Sequence, residues 1–211
     1  MTLFRLDASI NPAGSSSRAI ADIVENEWRA ANPDGAVVRR NLGTEPLPST
    51  AWTTAIGAAR TPAEGRSEEQ RSAVALAAGL AAELRSADAV LLAIPLYNYG
   101  VAQHAKVWID LVMAGAESPV EPLLAGKPTV LVTVRGGAYG PGTPREGWDH
   151  STDYLRRIVA DVWAADLTLV ERELTLAGVN PAMDAFKDLG AQLKEAAHAA
   201  AAVAGKSLAA A

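Results

Sequence analysis

The sequence contains no cysteine, and this single absence removes several chemistries. Without thiols, the chain can form no disulfide, use no thiolate nucleophile and hold no metal through sulfur. Histidine is also scarce: the 3 histidines show neither HxxxH nor HExxH spacing, so the sequence indicates no metal site. There is no GxSxG motif for a serine nucleophile, no GxxxxGK[ST] phosphate loop and no GxGxxG fingerprint.

Long apolar runs and an excess of positive charge are missing as well. No window approaches the roughly 20 apolar residues of a membrane-spanning helix. Arg5 and Asp7 interrupt the first apolar stretch, where a signal peptide would need an unbroken one. The net charge of −5 argues against nucleic acid or an anionic membrane as the main partner. We therefore expect a cytoplasmic protein whose 211 residues form a single domain.

Short apolar runs alternate with amphipathic segments along the whole chain. The apolar runs predict five strands, at Leu3–Ala8, Ala36–Arg40, Ala87–Ile94, Thr129–Val134 and Leu167–Leu174. Helical spacing predicts helices at Ser17–Ala31, Ala51–Ala59, Ser67–Ser86, Gln103–Gly115 and Tyr154–Trp163, and a last helix that begins near Pro181. This alternation predicts an α/β fold of three layers, with a five-stranded parallel sheet between helices. Order 2-1-3-4-5 is one of its two common solutions. We expect the alanine-rich end, residues 204–211, to be frayed.

A serine-rich segment, called here the first loop (Ser9–Ser17), follows the first predicted strand. Backbone N–H groups at a helix start, together with hydroxyl donors, bind anions such as phosphate, and Arg18 can add positive charge. The hydroxyl groups belong to Ser9, Ser15, Ser16 and Ser17. Alternatively, Ser15 or Ser17 simply caps the following helix, and the serine cluster alone leaves both interpretations open.

The second loop, Pro95–Gly100, follows the most continuous apolar run of the chain, Ala89–Ile94. Ligands of open α/β sheets lie beyond the carboxyl ends of the strands, which is where this loop begins. Asn98 offers both a donor and an acceptor, as the edge of a heterocycle requires. The alternative is an ordinary turn with tyrosine at the edge of the core.

The third loop, Arg135–Gly142, is the most glycine-dense and follows the β-branched run Thr129–Val134. Gly136 and Gly137 allow the backbone to approach a ligand closely, because glycine has no Cβ. A flexible turn is the alternative. We predict that the three loops converge on one ligand.

Taken together, the three loops resemble those of the FMN-dependent NADH-azoreductases, which are flavodoxin-like NAD(P)H:quinone oxidoreductases. The family's Pro-Met-Tyr-Asn-Phe loop corresponds to Pro95–Tyr99, and its Ser-Arg-Gly-Gly loop to Val134–Gly137. Its serine-rich first loop corresponds to Ser9 with Ser15–Ser17, and Lys106 follows the second motif in the family's register. Three motifs in the right order and spacing extend the resemblance over nearly the whole chain.

The resemblance implies bound FMN, NADH or NADPH as electron donor, a quinone or azo compound as acceptor, and a homodimer. Hydride would pass to FMN, and two electrons would then pass to the acceptor. The implied phosphate contacts are Ser9, Ser15, Ser16 and Ser17; the implied ring contacts are Pro95, Leu96, Tyr97, Asn98 and Tyr99 on one side and Val134, Arg135, Gly136 and Gly137 on the other. No catalytic side chain is assigned, but Tyr97 and Tyr139 are candidates for protonating the acceptor.

The chain also departs from the family pattern. Leu96, Tyr99 and Val134 replace the family's Met, Phe and Ser, and Ala116–Leu124 is shorter than the aromatic segment that helps cover the flavin in many members. The segment Ala138–Asp149 is one means of compensation. The alternative function is a flavin-binding redox carrier or sensor without NAD(P)H turnover. A hydrolase or regulator with a phosphate ligand is a further possibility, which the missing nucleophile motif disfavours.

Overall fold

Five parallel strands form the centre of the structure, a computed structural model that describes residues 1–11 and 13–210. The strands pair in the order β2-β1-β3-β6-β7, which confirms the predicted order 2-1-3-4-5. Each long connection crosses over the sheet, as parallel pairing requires. The five strands are β1 (Thr2–Asp7), β2 (Ala36–Asn41), β3 (Ala89–Ala93), β6 (Pro128–Val134) and β7 (Asp166–Arg172); β4 (Leu96–Tyr97) and β5 (Gly100–Val101) form a separate small hairpin.

Helices cover both faces of the sheet, as the sequence predicted. Helices α1 and α6 pack on one face, and α2 to α5 contribute to the core on the other. The helices are α1 (Ser16–Ala31), α2 (Ala51–Ala58), α3 (Glu68–Ser86), α4 (Gln103–Gly115), α5 (Thr152–Arg156) and α6 (Lys187–Ala209). Most strand and helix bounds shift from the predicted ones by one or two residues. In addition, α5 continues as a π-helix, Arg157–Val162, and a 3₁₀ segment, Pro181–Phe186, precedes α6. No helix of the described residues is long and apolar enough to cross a membrane.

The central strands are apolar because both of their faces are covered. Every residue of β3 is buried, and Leu92 lies between Leu6 of β1 and Leu131 of β6. On the α4 face, the ring of Trp108 stacks on Phe4 and meets Trp163 edge-on, with centroids 6.2 and 5.7 Å apart. These contacts between large aromatic side chains of the sheet and of the helical layer therefore fix how the helices pack on the sheet.

One polar cluster interrupts the apolar face beneath α1, and we call it the Arg5 network. The Arg5 guanidinium is 3% exposed and binds Asp7 at 3.0 Å and Glu25 of α1 at 3.0 Å. Arg39 of β2 also binds Glu25, and Asp22 binds Arg5 at 2.7 Å. Burial alone would lower the pKa of Arg5, but these carboxylates outweigh it and raise that pKa. The charged residues that weakened the sequence signal of β1 are therefore mutually neutralised.

The last segment of the described residues is a helix and not a frayed tail. Helix α6 runs to Ala209, with Ala204, Gly205 and Leu208 buried, so the prediction of fraying from residue 204 is wrong within the described residues; Ala211 lies outside them. A Cβ on Gly205 would come within 2.6 Å of the Val24 carbonyl oxygen in α1. Small residues thus let α6 pack closely against α1, an effect that alanine-rich composition alone does not reveal.

Candidate active site

The loops at the carboxyl edge of the sheet border a common cavity of about 420 Å³. This volume lies within the usual range of small-molecule pockets, roughly 300–1,000 Å³. The lining residues are Ser9, Ile10, Asn11, Gly14, Ser15, Ser16, Ser17, Pro95, Leu96, Tyr97, Val134, Gly136, Thr175, Leu176 and Val179. Nine of the predicted cofactor contacts are among them, whereas Asn98, Tyr99, Arg135 and Gly137 are not. The three predicted loops are therefore brought together, although the FMN contacts themselves stay predictions.

The serines of the first loop surround the start of α1. Ser15 is the N-cap residue: its hydroxyl accepts a hydrogen bond from the Arg18 backbone N–H at 3.3 Å and lies 3.2 Å from the Ser17 hydroxyl. Capping and anion binding are compatible here, because one cap leaves other N–H groups of the first turn free. The cavity wall at this end is therefore rich in donors.

Tyr97 connects the second loop to the first. Its hydroxyl lies 3.3 Å from the Ser9 hydroxyl and accepts a hydrogen bond from the Ile10 backbone N–H at 3.3 Å. The Ser9 hydroxyl in turn contacts the backbone of Asn11. The Tyr97 hydroxyl therefore links the two loops, and the half-buried side chain of Tyr97 also lines the cavity.

The second loop is a tight hairpin, which the sequence did not predict. Strand β4 pairs with β5 antiparallel, so Asn98 and Tyr99 are the two residues of the turn. Both have positive φ, 48° and 66°, the pattern of a type I′ turn. Both side chains are exposed and lie outside the cavity wall. For a tyrosine this backbone conformation is strained, and such strain often marks functional loops.

Arg135 anchors the third loop and does not line the cavity. Its guanidinium binds Asp149 at 2.6 Å, Glu173 at 3.2 Å, the Thr152 hydroxyl at 3.1 Å, and also Glu171. Burial alone would lower its pKa, but Glu171 and Asp149 outweigh this effect and raise it. For Asp149 the directions are reversed: burial alone would raise its pKa, but hydrogen bonds from Thr152 and Arg135 outweigh burial and lower it. Both groups stay charged, and Arg135 ties the segment after the third loop to the sheet.

A fourth loop, Glu173–Asn180, completes the cavity, and the sequence reasoning missed it. Thr175 and Leu176 donate backbone hydrogen bonds to the carbonyls of Arg135 and Gly136, at 3.1 and 3.2 Å. A Cβ on Gly136 would come within 2.9 Å of Leu176, so the glycine allows this close approach. The signal was available: β7 also ends at the carboxyl edge of the sheet, and the rule applied to the other strands points to the residues after it.

An aromatic cluster, formed by exposed Tyr99 and Trp148 with half-buried Tyr139, joins the second loop to the segment after the third. Tyr99 lies 5.5 Å from Trp148 and 6.4 Å from Tyr139, between ring centroids, and Arg145 lies over the Tyr139 ring. The His150 backbone N–H donates to the Tyr99 carbonyl at 3.0 Å, which holds this segment against the hairpin. Tyr139 therefore belongs to the surroundings of the cavity and not to its wall.

The short segment Ala116–Leu124 lies at the opposite edge of the sheet. Glu121 binds Arg85 at 2.7 Å, and the Leu124 N–H donates to the Trp163 carbonyl. None of its residues lines the cavity. Nor do the described residues include any group of three or more His, Asp or Glu placed to hold a metal ion.

The parallel sheet in this order, with a ligand cavity at its carboxyl edge, defines a flavodoxin-like protein. A profile of the family described as "Flavodoxin-like fold" matches residues 1–199. The FMN-dependent NADH:quinone oxidoreductase of Frankia casuarinae is 43% identical over 94% of this chain and 96% of its own. That of Streptomyces avermitilis is 36% identical over 99% and 97%. The chain therefore belongs to this flavodoxin-like family, beside relatives named FMN-dependent NADH:quinone oxidoreductase.

Solved structures show the same fold at lower identity. The azoreductase AzrA aligns with a TM-score of 0.76 and 21% identity, over 98% of this chain and 100% of that one. An FMN-dependent NADH-azoreductase from Bacillus anthracis in complex with FMN aligns with a TM-score of 0.67 and 17% identity, over 95% and 99%. At these identities the likeness concerns the fold.

Proposed function

We propose that the protein is an FMN-dependent NAD(P)H oxidoreductase that reduces quinones or azo compounds. The observation that carries the proposal is the cavity, in which a hydroxyl-rich helix start meets the ends of two buried strands. The names of relatives 36–43% identical over most of the chain support the same activity.

The residues of the cavity fit the two ends of FMN. At one end, serine hydroxyls and the start of α1 match a phosphate, and Arg172 beside them has a buried Nε without a hydrogen-bond partner. At the other end, Pro95 and Leu96 face Val134 and Gly136 across a largely apolar gap. Such a gap suits a flat ring with polar groups along its edge.

The flavin, when bound, supplies hydride acceptance and donation. The chain holds the flavin: the first loop binds its phosphate, and the ends of β3 and β6 position its ring. Tyr97 keeps the first two loops together through its hydroxyl, which is already engaged by Ser9 and Ile10. Because Tyr139 lies outside the cavity wall, water is the proton donor that we propose for the acceptor.

A homodimer is part of this proposal. Three apolar side chains that line the cavity are also strongly exposed: Ile10 (63%), Leu176 (43%) and Val179 (75%). Exposed apolar groups at the rim of a site are typical of surfaces covered by a partner. A second copy over this rim would shield the flavin from water, and sedimentation equilibrium measures whether the copy is present.

A visible absorption spectrum tests the function directly. The purified protein, or the apoprotein after FMN is added, is expected to show flavin absorption that NADH bleaches without oxygen and that a quinone or azo dye restores. A protein that stays colourless and gains no FMN on titration contradicts the proposal. Bound FMN that neither NADH nor NADPH reduces would instead indicate a redox carrier.

A further inference from the structure

A second recess, of about 380 Å³, lies on the other side of the first loop and is rich in positive charge. It is lined by Ser16, Arg18, Asp22, Arg172, Lys194 and His198, among others. Asp22 is the acidic residue of this lining, and its carboxylate already binds Arg5 at 2.7 Å. The recess therefore places cations without matching anions directly behind the serines of the first loop.

Arg172 is the residue that connects this recess to the cavity. It is the last residue of β7, and its Nη1 donates a hydrogen bond to the Ser16 hydroxyl at 3.3 Å. Ser16 lines both the recess and the cavity. Because the hydroxyl oxygen accepts from Arg172, its own proton is free to be donated to another acceptor, such as a phosphate oxygen.

The guanidinium of Arg172 has no carboxylate partner among the described residues. Its Nε is buried and makes no hydrogen bond, and the same is true of Nε and Nη2 of Arg18. Burial lowers the pKa of Arg172, and no carboxylate counters this effect. A buried cation is costly unless an anion offsets it. A phosphate monoester, with a charge of about −1.5 to −2 at pH 7, is an anion of the right kind.

We propose that Arg172 is a positioning residue for the cofactor phosphate, which it serves through the Ser16 hydroxyl and through its own uncompensated charge. It thereby makes the site select a phosphorylated flavin over riboflavin. This inference rests on the proposed function, because the anion is the phosphate of FMN. Arg18 adds charge to the same recess, whereas Lys194 and His198 close it from α6.

The test compares FMN with riboflavin, which shares the ring and lacks the phosphate. Quenching of flavin fluorescence on titration of the apoprotein gives a Kd for each ligand. Arg172→Met is expected to weaken FMN binding by about tenfold or more, the loss of one charge-assisted contact. Riboflavin affinity is expected to stay within about twofold, since no contact to the ring changes. Arg172→Lys keeps the charge and is expected to recover part of the FMN affinity.

Controls separate this role from a structural one. Arg85→Met makes the same change in charge at the opposite edge of the sheet and is expected to leave both Kd values unchanged. Inorganic phosphate is expected to compete with FMN in the wild type and less in Arg172→Met. Equal weakening of FMN and riboflavin, or no change in either, overturns the inference. A wild-type apoprotein that binds no FMN contradicts the proposed function itself.

Discussion

Two arginines that contact helix α1, Arg5 and Arg172, differ in what neutralises their charge. Arg5 is enclosed by carboxylates of Asp7, Asp22 and Glu25. Arg172 has the Ser16 hydroxyl as its hydrogen-bond acceptor and a buried Nε without a partner. The carboxylates raise the pKa of Arg5, whereas burial lowers that of Arg172.

This difference separates an arginine that serves the fold from one that serves a ligand. A buried charge with internal partners is part of the folded structure and becomes costly when one partner is removed. A partly buried charge without partners leaves an electrostatic deficit, which an external anion can fill. The opposite environments predict opposite consequences for stability and for binding.

The largest expected effect is on stability. Arg5→Met leaves Asp7 buried without its cation and removes one of the cations that bind Glu25, and we expect the free energy of unfolding to fall by about 3–5 kcal/mol. Arg172→Met leaves no carboxylate without a partner, so we expect the free energy of unfolding to change by about 1 kcal/mol or less. Urea unfolding of the two apoproteins measures both values. Equal losses in the two variants would remove the distinction.

The next largest effect is the loss of the stability that the Arg5 network contributes as the pH is lowered. Burial alone would raise the pKa of Glu25, but Arg29 and Arg5 outweigh it and lower that pKa below its ordinary value of 4.5. The unfolded chain therefore binds this proton more readily, so the stabilisation is complete above pH 4.5 and is lost as pH falls through the folded-state pKa. We expect Glu25→Gln to cost about 1–3 kcal/mol at pH 7. We expect the free energy of unfolding of this variant to fall less steeply than that of the wild type as the pH is lowered. An unchanged dependence on pH would contradict this.

Ionic strength should affect FMN binding, to which Arg172 contributes, more than the stability that the Arg5 network contributes. Raising salt from about 0.1 M to about 1 M shortens the Debye length from about 10 Å to about 3 Å and screens accessible charges most. We expect FMN affinity of the wild type to fall several-fold, with a weaker dependence in Arg172→Met and almost none for riboflavin. The stability difference between wild type and Arg5→Met should change little. Flavin titrations and urea curves at both salt levels give the comparison.

The smallest effect sets the scale for an exposed pair. Lys106 binds Asp110 at 2.6 Å, one turn apart on α4, and its side chain is 46% exposed. We expect Lys106→Ala to change the free energy of unfolding by less than about 0.5 kcal/mol. The same urea assay measures it. A loss as large as that of Arg5→Met would show that burial is not what distinguishes the pairs.

The order of the sheet followed from the sequence because its signals are local and strong. The run Ala89–Ile94 and the β-branched run Thr129–Val134 can bury both faces only between layers of helices. The serine, tyrosine and glycine loops also follow strand ends in sequence, so topology alone brings Ser9, Tyr97 and Gly136 to one cavity.

Features that depend on partners distant in sequence were not predictable in the same way. Arg135 was expected at the ligand, but Asp149, Glu171 and Glu173 engage it in the fold. The hairpin of Asn98 and Tyr99 consists of strands of two residues each, too short to give an alternating pattern. Helix α6 continues to Ala209 because it packs on α1, and composition alone does not show this packing.

The close packing of α6 on α1 has a consequence for the order in which the protein is made. Helix α1 begins with Ser16 and Ser17 of the first loop and is synthesised before α6, but Gly205 and the apolar face of α6 that cover it come from the last helix of the structure. Arg172, Lys194 and His198 also leave the ribosome late. The recess behind the first loop is therefore complete only after α6 has been made, so an anion held there cannot guide the earlier folding of β1 and α1.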